Sequence, residues 1–515
     1  MTYCINYKMS PADLVSNWEV YYLNRLLSST HTDEEGFLDT PSTKQEKPNG
    51  ESCNSELTPL TTDRPSSSRL AKTNGDRITP FSQRVNKFTQ QYVLNSDNVA
   101  SVPSKDEIES TEDEVIRRVQ PSKRCTLQVQ RSQPEPGCRF MYDRIEDRFN
   151  YLEDRIRRSG SLFSASGLCG EPADATLASE ESMFSVGMVI CDGEGHLNEK
   201  SILLQGSVEH SRGQRVRLDL KDVDRFSLFP GQVVGIQGHN PSGHCFVVSK
   251  LNDSLPNFVD AQLPRAKKQA VDSEGNQSSD VVSRVLSSMG PFIDSDHPEI
   301  KKGAVDQSFQ DIFLFEILRK LQDFTQYLGH NVRVILIPSV RDAHHDFVFP
   351  QPAFDLNLPE DITHQITCLA NPSLFSCNEI HFGCCTMDIL KHLSGEEISR
   401  KPPGEKHGDR IGRICTHILK QQSYYPLYPP PAGVPLDFSL ANGALEIASA
   451  PDVLLLPSDL APFVKVLSLD ESSEEPKRFI CMNPGRLAKG IGGGTFVELN
   501  YNEDTHKTSA SLIRI

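Results

Sequence analysis

An apolar run, Val332-Arg-Val-Ile-Leu-Ile337, leads through Pro338-Ser-Val into Arg341-Asp-Ala-His-His345. A carboxylate and two imidazoles at the end of a strand are ligands that a metallophosphoesterase uses to hold two metal ions, activate water and clamp phosphate oxygens. Such a centre needs further carboxylates or imidazoles from other strand ends. Gly290-Pro-Phe-Ile-Asp294 has Pro291 where a Gly-Asp loop would present a carboxylate, and proline carries neither a ligand nor a backbone donor. Met482-Asn-Pro-Gly-Arg486 has an amide and a guanidinium where a Gly-His-x-His loop would present imidazoles, and a guanidinium repels a cation. Asp294, Arg341, Asp342, His344, His345, Asn483 and Arg486 therefore read as a vestigial site. No catalytic residue, metal or cofactor is expected there; an active metallophosphoesterase is the alternative.

Other chemistry-bearing stretches have plainer readings. Lys489-Gly-Ile-Gly-Gly-Gly-Thr495 lacks the Gly-Lys-Ser/Thr ending of a phosphate loop and runs into Phe496-Val-Glu-Leu499, so it reads as a tight strand connection. Gln422-Ser-Tyr-Tyr-Pro-Leu-Tyr-Pro-Pro-Pro431 sets Tyr424, Tyr425 and Tyr428 on a proline-stiffened segment, a docking surface or, the favoured reading, a packed loop. The 13 cysteines form no CxxC pair, and Cys377 with Cys384 and Cys385 lacks zinc-knuckle spacing, which predicts reduced thiols in a nuclear or cytosolic compartment. A net charge of -16 opposes a sequence-independent grip on nucleic acid unless a basic face is segregated. No apolar run reaches the roughly 18 residues of a membrane span, and no charged-then-apolar leader opens the chain, so no membrane contact is expected.

The elements that must position these residues differ along the chain. Ser10-Pro-Ala-Asp13 offers a capping hydroxyl, an N1 proline and an early carboxylate, and Leu14, Val15, Trp18, Tyr22 and Leu26 follow at helical spacing, a short helical module over 1–29. Residues 30–136 are rich in Ser, Thr, Asn, Asp, Glu, Lys and Pro and read as a disordered linker, with Thr40, Thr58 and Thr79 before prolines as possible phosphorylation sites. Over 137–160, Phe140, Ile145, Phe149, Leu152 and Ile156 form one stripe of an amphipathic helix that Gly160 ends. Residues 178–252 are short alternating runs between turn residues, about five strands, the size of an OB-fold barrel. Such barrels bind single strands by stacking bases on aromatic residues, but Phe226, Phe229 and Phe246 read as core, and a single-strand DNA-binding protein is the second alternative. A polar loop, 253–280, carries Arg265-Ala-Lys-Lys268. From 281 to 515, apolar strands alternate with helical stretches such as Phe309–Tyr327 and Arg410–Gln422, the grammar of an α/β domain whose functional groups gather at strand ends.

Together Ser10–Arg25, Phe229-Pro-Gly-Gln232, Gly290–Asp294, Val340–His345, Ser423–Pro429 and Asn483–Leu487 give the chain a resemblance to the B subunit of the DNA polymerase α–primase complex. The resemblance implies an N-terminal partner-recruiting helical module, a linker phosphorylated by cell-cycle kinases, an OB domain and a calcineurin-like phosphoesterase domain that has lost its metals. It implies a non-catalytic nuclear scaffold that grips the C-terminal domain of the catalytic subunit, sits in one complex with the primase subunits, works at replication origins and touches DNA indirectly. This chain reads as a shortened form. It begins before the last helix of the family's N-terminal bundle. It also lacks the strand–helix–strand unit, opened by a Gly-Pro-Tyr/Phe-Thr loop, that precedes Gly290-Pro-Phe-Ile-Asp294 in the family. That gap predicts uncovered apolar faces, and with them lowered stability or weakened docking of the catalytic subunit.

Overall fold

The computed structural model describes residues 87–95 and 125–515, with breaks at 168–169, 194, 256–282, 330–331, 357–364, 379, 403, 405–407, 470–477, 489–492 and 502–507. The described residues fall in the compact unit Asp76–Ile515. The N-terminal helix, Thr40, Thr58, Thr79 and Arg265-Ala-Lys-Lys268 lie outside them.

In chain order the elements are β1 (Gln90–Leu94), β2 (Leu127–Ser132), α1 (Ile145–Ala165), β3 (Ser179–Cys191), β4 (Ile202–Gly206), β5 (Arg215–Asp219), β6 (Phe226–Leu228), β7 (Val233–Asn240), β8 (Cys245–Asn252) and β9 (Ser283–Ser287). They continue with α2 (Arg319–Leu328), β10 (Val334–Leu336), β11 (Ile366–Cys368), β12 (Ser373–Cys377), β13 (Ile380–Cys384), α3 (Ile389–Glu396), β14 (Ile398–Arg400), α4 (Arg410–Lys420), α5 (Phe438–Ala444), β15 (Val453–Leu455), β16 (Phe463–Ser468), β17 (Arg478–Asn483), β18 (Thr495–Tyr501) and β19 (Ser509–Arg514).

Strands β3, β4, β5, β8 and β7 close a barrel. Its interior is filled by Val189, Leu204, Val216, Leu218, Val234, Ile236, Phe246 and Val248, alternate residues of each strand as a closed barrel requires. The α/β part has a six-stranded sheet, β16-β17-β15-β13-β12-β2, in which β13, β15 and β17 run parallel. Both faces of its inner strands β13, β15 and β17 are covered, which is why these are largely apolar. Phe382, Val453, Leu455, Ile480 and Met482 pack against Val497, Leu499 and Leu512 of a four-stranded antiparallel sheet, β1-β19-β18-β9. Their sequence neighbours Leu454, Leu456, Phe479 and Cys481 point the other way, onto a core shared with Leu390 and Leu393 of α3 and Ile414, Cys415 and Ile418 of α4. The result is three layers: helices, mixed sheet, antiparallel sheet.

Several sequence expectations need correction. The segment 30–136 contains β1 and β2, which pair antiparallel with β19 and β12, so at least these residues are built into the α/β sheets. Each is an edge strand with a mostly solvent-facing surface, and an edge can be polar, so Leu127-Gln-Val-Gln-Arg-Ser132 carries no apolar period to reveal it. Helix α1 starts at Ile145, where Asp147 Oδ2 accepts the Arg144 amide at 2.7 Å, and runs past Gly160 to Ala165. Its buried stripe is Tyr151, Arg155, Ile156, Ser159, Gly160 and Phe163, whereas Ile145 and Phe149 are exposed. Gly160 lies on that stripe, where a Cβ would meet Pro172 at an ordinary 3.8 Å, so the helix carries the roughly 1 kcal/mol cost of an interior glycine without ending there. The expected helix Phe309–Tyr327 is broken by a π-helical stretch, Phe313–Leu318, before α2. Leu314, Phe315, Phe324, Tyr327 and Leu328 of this stretch, and Leu286 of β9, are exposed apolar side chains.

Candidate functional site

Three of the loops singled out in the sequence meet at one end of the sheets. The amide of Ser295 donates to the Arg341 carbonyl at 3.0 Å, Ala343 to Ile293 at 2.9 Å and Leu487 to Met289 at 2.7 Å, which ties Gly290–Asp294, Val340–His345 and Asn483–Leu487 together. What they present to one another is a ring of opposite charges. Arg341 reaches Asp296 at 3.1 Å, Asp459 at 3.3 Å and Asp294 at 3.5 Å. Arg486 pairs with Asp459 at 2.6 Å and approaches Asp294 at 3.8 Å. Two guanidinia thus lie between the carboxylates that would otherwise face a cation, and each carboxylate oxygen is directed at a permanently charged donor.

The other members of the predicted set are spent on holding backbone or on aromatic packing. Asp342, 4 % exposed, accepts the amides of Phe292 at 2.9 Å and Ile293 at 3.0 Å, so its carboxylate is the clip between two loops. Burial pushes its pKa up, against these amides. His344 stacks on Phe313 at 4.3 Å between ring centres, inside an aromatic cluster with Phe354, and burial pushes its pKa down. His345 turns away, its Nε2 lying 2.7 Å from the Pro352 carbonyl. Asn483 is fully buried; its Oδ1 accepts the amides of Ser458 and Gly485, and its Nδ2 donates to the carbonyls of Leu460 and Ala461. Among the described residues no group of three His, Cys, Asp or Glu side chains converges as metal ligands would.

Asp459 and Asp296 were missed in the sequence. Asp459 follows β15 in Leu456-Pro-Ser-Asp459, so the strand-end rule that flagged Asp342 applies to it equally. Asp388 was missed too: it caps α3 at the amide of Lys391, and accepts the Ser458 hydroxyl at 2.6 Å and the Asp459 amide at 2.9 Å, fixing the loop that carries Asp459.

The tyrosine tract is a packed loop. Tyr424 and Tyr425 are each 1 % exposed, and Tyr424 donates to the Ser373 carbonyl at 3.1 Å. Tyr428, half-buried, donates its amide to the Pro230 carbonyl at 3.0 Å. Here the barrel meets the α/β layers. Gly231 has a φ of +89°, and a Cβ on it would lie 2.4 Å from the Tyr428 nitrogen, so the Phe229-Pro-Gly-Gln232 turn seats directly on the tyrosine loop. Alongside, β6 pairs antiparallel with β14, and Ser227 donates to Glu397 at 2.5 Å with His417 Nε2 2.7 Å from the same hydroxyl. Arg413 forks onto Glu397 at 2.6 and 3.0 Å, and Gln421 makes a reciprocal pair with the Val233 backbone at 2.8 and 2.9 Å. Burial would raise the Glu397 pKa, but hydrogen bonds from His417, Arg413 and Ser227 outweigh it and hold the carboxyl far below its ordinary range. Phe226, Phe229 and Phe246 are 4 %, 0 % and 0 % exposed, so none offers a ring for base stacking. Among the described residues no helix is long and apolar enough to cross a membrane.

Comparison with known proteins assigns the family. Residues 265–465 match the family model for the B subunit of DNA polymerases alpha and epsilon, and residues 150–254 match that for the OB domain of the DNA polymerase alpha B subunit. The chain is similar to the DNA polymerase alpha B subunit of Rattus norvegicus, 31% identical over 391 residues, which cover 71% of this chain and 63% of the rat protein. The match thus spans a little under two thirds of the length of that relative. It is similar to the corresponding protein of Schizosaccharomyces pombe, 31% identical over 411 residues, covering 70% of this chain and 67% of the yeast protein. The chain therefore belongs to the family of DNA polymerase alpha B subunits.

Proposed function

We propose that the chain is a non-catalytic regulatory subunit of the DNA polymerase α–primase complex. On this reading it grips the C-terminal domain of the catalytic subunit, keeps the primase subunits in the same assembly and supports primer synthesis at replication origins in the nucleus. Its α/β part is an inactive phosphoesterase-like domain. The observation that carries the reading is the Arg341–Asp294–Arg486–Asp459 ring: where a two-metal hydrolase needs convergent anionic and imidazole ligands, two fixed positive charges neutralise the carboxylates. The welded junction supports it further, because a barrel locked to an α/β layer presents one rigid surface for a large polypeptide to grip. Thr40, Thr58 and Thr79 would carry the regulatory phosphates.

Co-purification of the full chain with the C-terminal domain of the polymerase catalytic subunit tests the scaffold role, and the expected result is a stoichiometric complex at physiological salt. Bound divalent metal together with turnover of a generic phosphodiester would establish the hydrolase instead. Steeply salt-dependent binding of single-stranded DNA by the isolated chain would favour the DNA-binding alternative.

A further inference from the structure

Between α1 and α5 lies an open cleft of about 450 Å³, bordered by Arg155, Arg157 and Arg158 on one wall and Ser423, Leu445 and Glu446 on the other. Its charges do not balance. Asp154 is taken by Arg157 at 2.7 Å, and Glu446 is shared between Arg158 at 2.6 Å and Arg131 at 3.3 Å. Arg155 is 6 % exposed, and its one hydrogen bond runs from Nη2 to the Gly231 carbonyl at 2.8 Å; among the described residues it has no carboxylate partner. The Nε of Arg158 is buried with no acceptor. Four guanidinia therefore meet two carboxylates, in a chain whose net charge is -16. Arg155 also lies over the Tyr151 ring, 5.9 Å from its centroid, so its charge meets one carbonyl and one aromatic face, and an anion between Arg155 and Arg158 would supply the counter-charge that neither provides.

We propose that this cleft binds a phosphate group carried by a small molecule of nucleotide size or below. A guanidinium fork matches phosphate oxygens in geometry and charge, and the volume lies within the roughly 300–1,000 Å³ of small-molecule sites. The site is remote in sequence from the strand-end ring and independent of the function proposed above.

The test uses the full chain and three probes, inorganic phosphate, pyrophosphate and ATP, titrated calorimetrically at an ionic strength held constant with sodium chloride. Saturable binding is expected, tighter for pyrophosphate than for phosphate. Ser161, exposed on the rim, leaves the packing untouched when replaced. Ser161→Glu should weaken binding roughly tenfold by placing a like charge beside the anion, Ser161→Ala should not, and Arg158→Gln should weaken it comparably. Unchanged unfolding midpoints without ligand establish that each variant folds. Absence of saturable binding by all three probes, or equal binding by Ser161→Glu, would overturn the proposal, as would capture of a phosphopeptide with no response to the small probes.

Discussion

The strand-end ring and the barrel junction both set carboxylates against arginine guanidinia, and they do opposite things. At the ring, Asp294, Asp459, Arg341 and Arg486 keep between 23% and 33% of their side-chain surface in water. At the junction, Glu397 and His417 keep 1% and 2%. Solvated ion pairs contribute little because water screens them, whereas a buried carboxylate that loses its partners, or partners that lose their carboxylate, cost the full desolvation of a charge. The ring thus decides what chemistry the sheet end can host, and the junction decides whether barrel and sheets move as one body.

The comparison can be broken most directly at Glu397. Replacing it with Gln leaves Arg413 and His417 without their anion and should cost about 4 kcal/mol of unfolding free energy in urea titration. A cost near that of a surface substitution would remove the distinction between the two regions. Gly231→Ala should come next, at roughly 3 kcal/mol, since the methyl group meets backbone atoms of Pro426 and Tyr428 at a φ of +89°.

Acid should act on the same junction. The folded Glu397 has its pKa lowered from an ordinary 4.5, so its stabilising contribution is complete above that value and is lost as pH falls below it. Thermal midpoints measured from pH 6 to pH 3 should fall more steeply for the native sequence than for Glu397→Gln; parallel curves would mean that another group governs the acid limb. The smallest effect belongs to the ring. Arg341→Ala and Arg486→Ala should each cost less than about 1 kcal/mol, and a larger loss in calorimetry would show that the ring is a structural keystone rather than a solvated group of ion pairs.

Much of this was legible beforehand. The apolar strands Val453–Leu456 and Arg478–Met482, the turn-punctuated barrel strands and the position of Val340–His345 at a strand end all follow from side-chain pattern and turn chemistry, which are local. What escaped were the edge strands β1 and β2, whose polar residues need only a backbone partner, and the buried stripe of α1. Ile145 and Phe149 looked equivalent to Ile156 by spacing, yet the helix turns Ile156, together with Phe163 beyond the expected helix end, into the core that Phe184 and Val233 complete.

Sequence alone determined that Pro291, Asn483 and Arg486 bring neither a carboxylate nor an imidazole to the sheet end, since no fold changes a side chain's chemistry. It could not determine where the charges it does contain would meet. That Arg341 and Arg486 share Asp294 and Asp459, that His344 stacks among phenylalanines, and that Glu397 locks barrel to sheet was decided only by tertiary structure. The reason is physical: a residue's chemistry is local, but its partners and its exposure to water are set by chain segments distant in sequence.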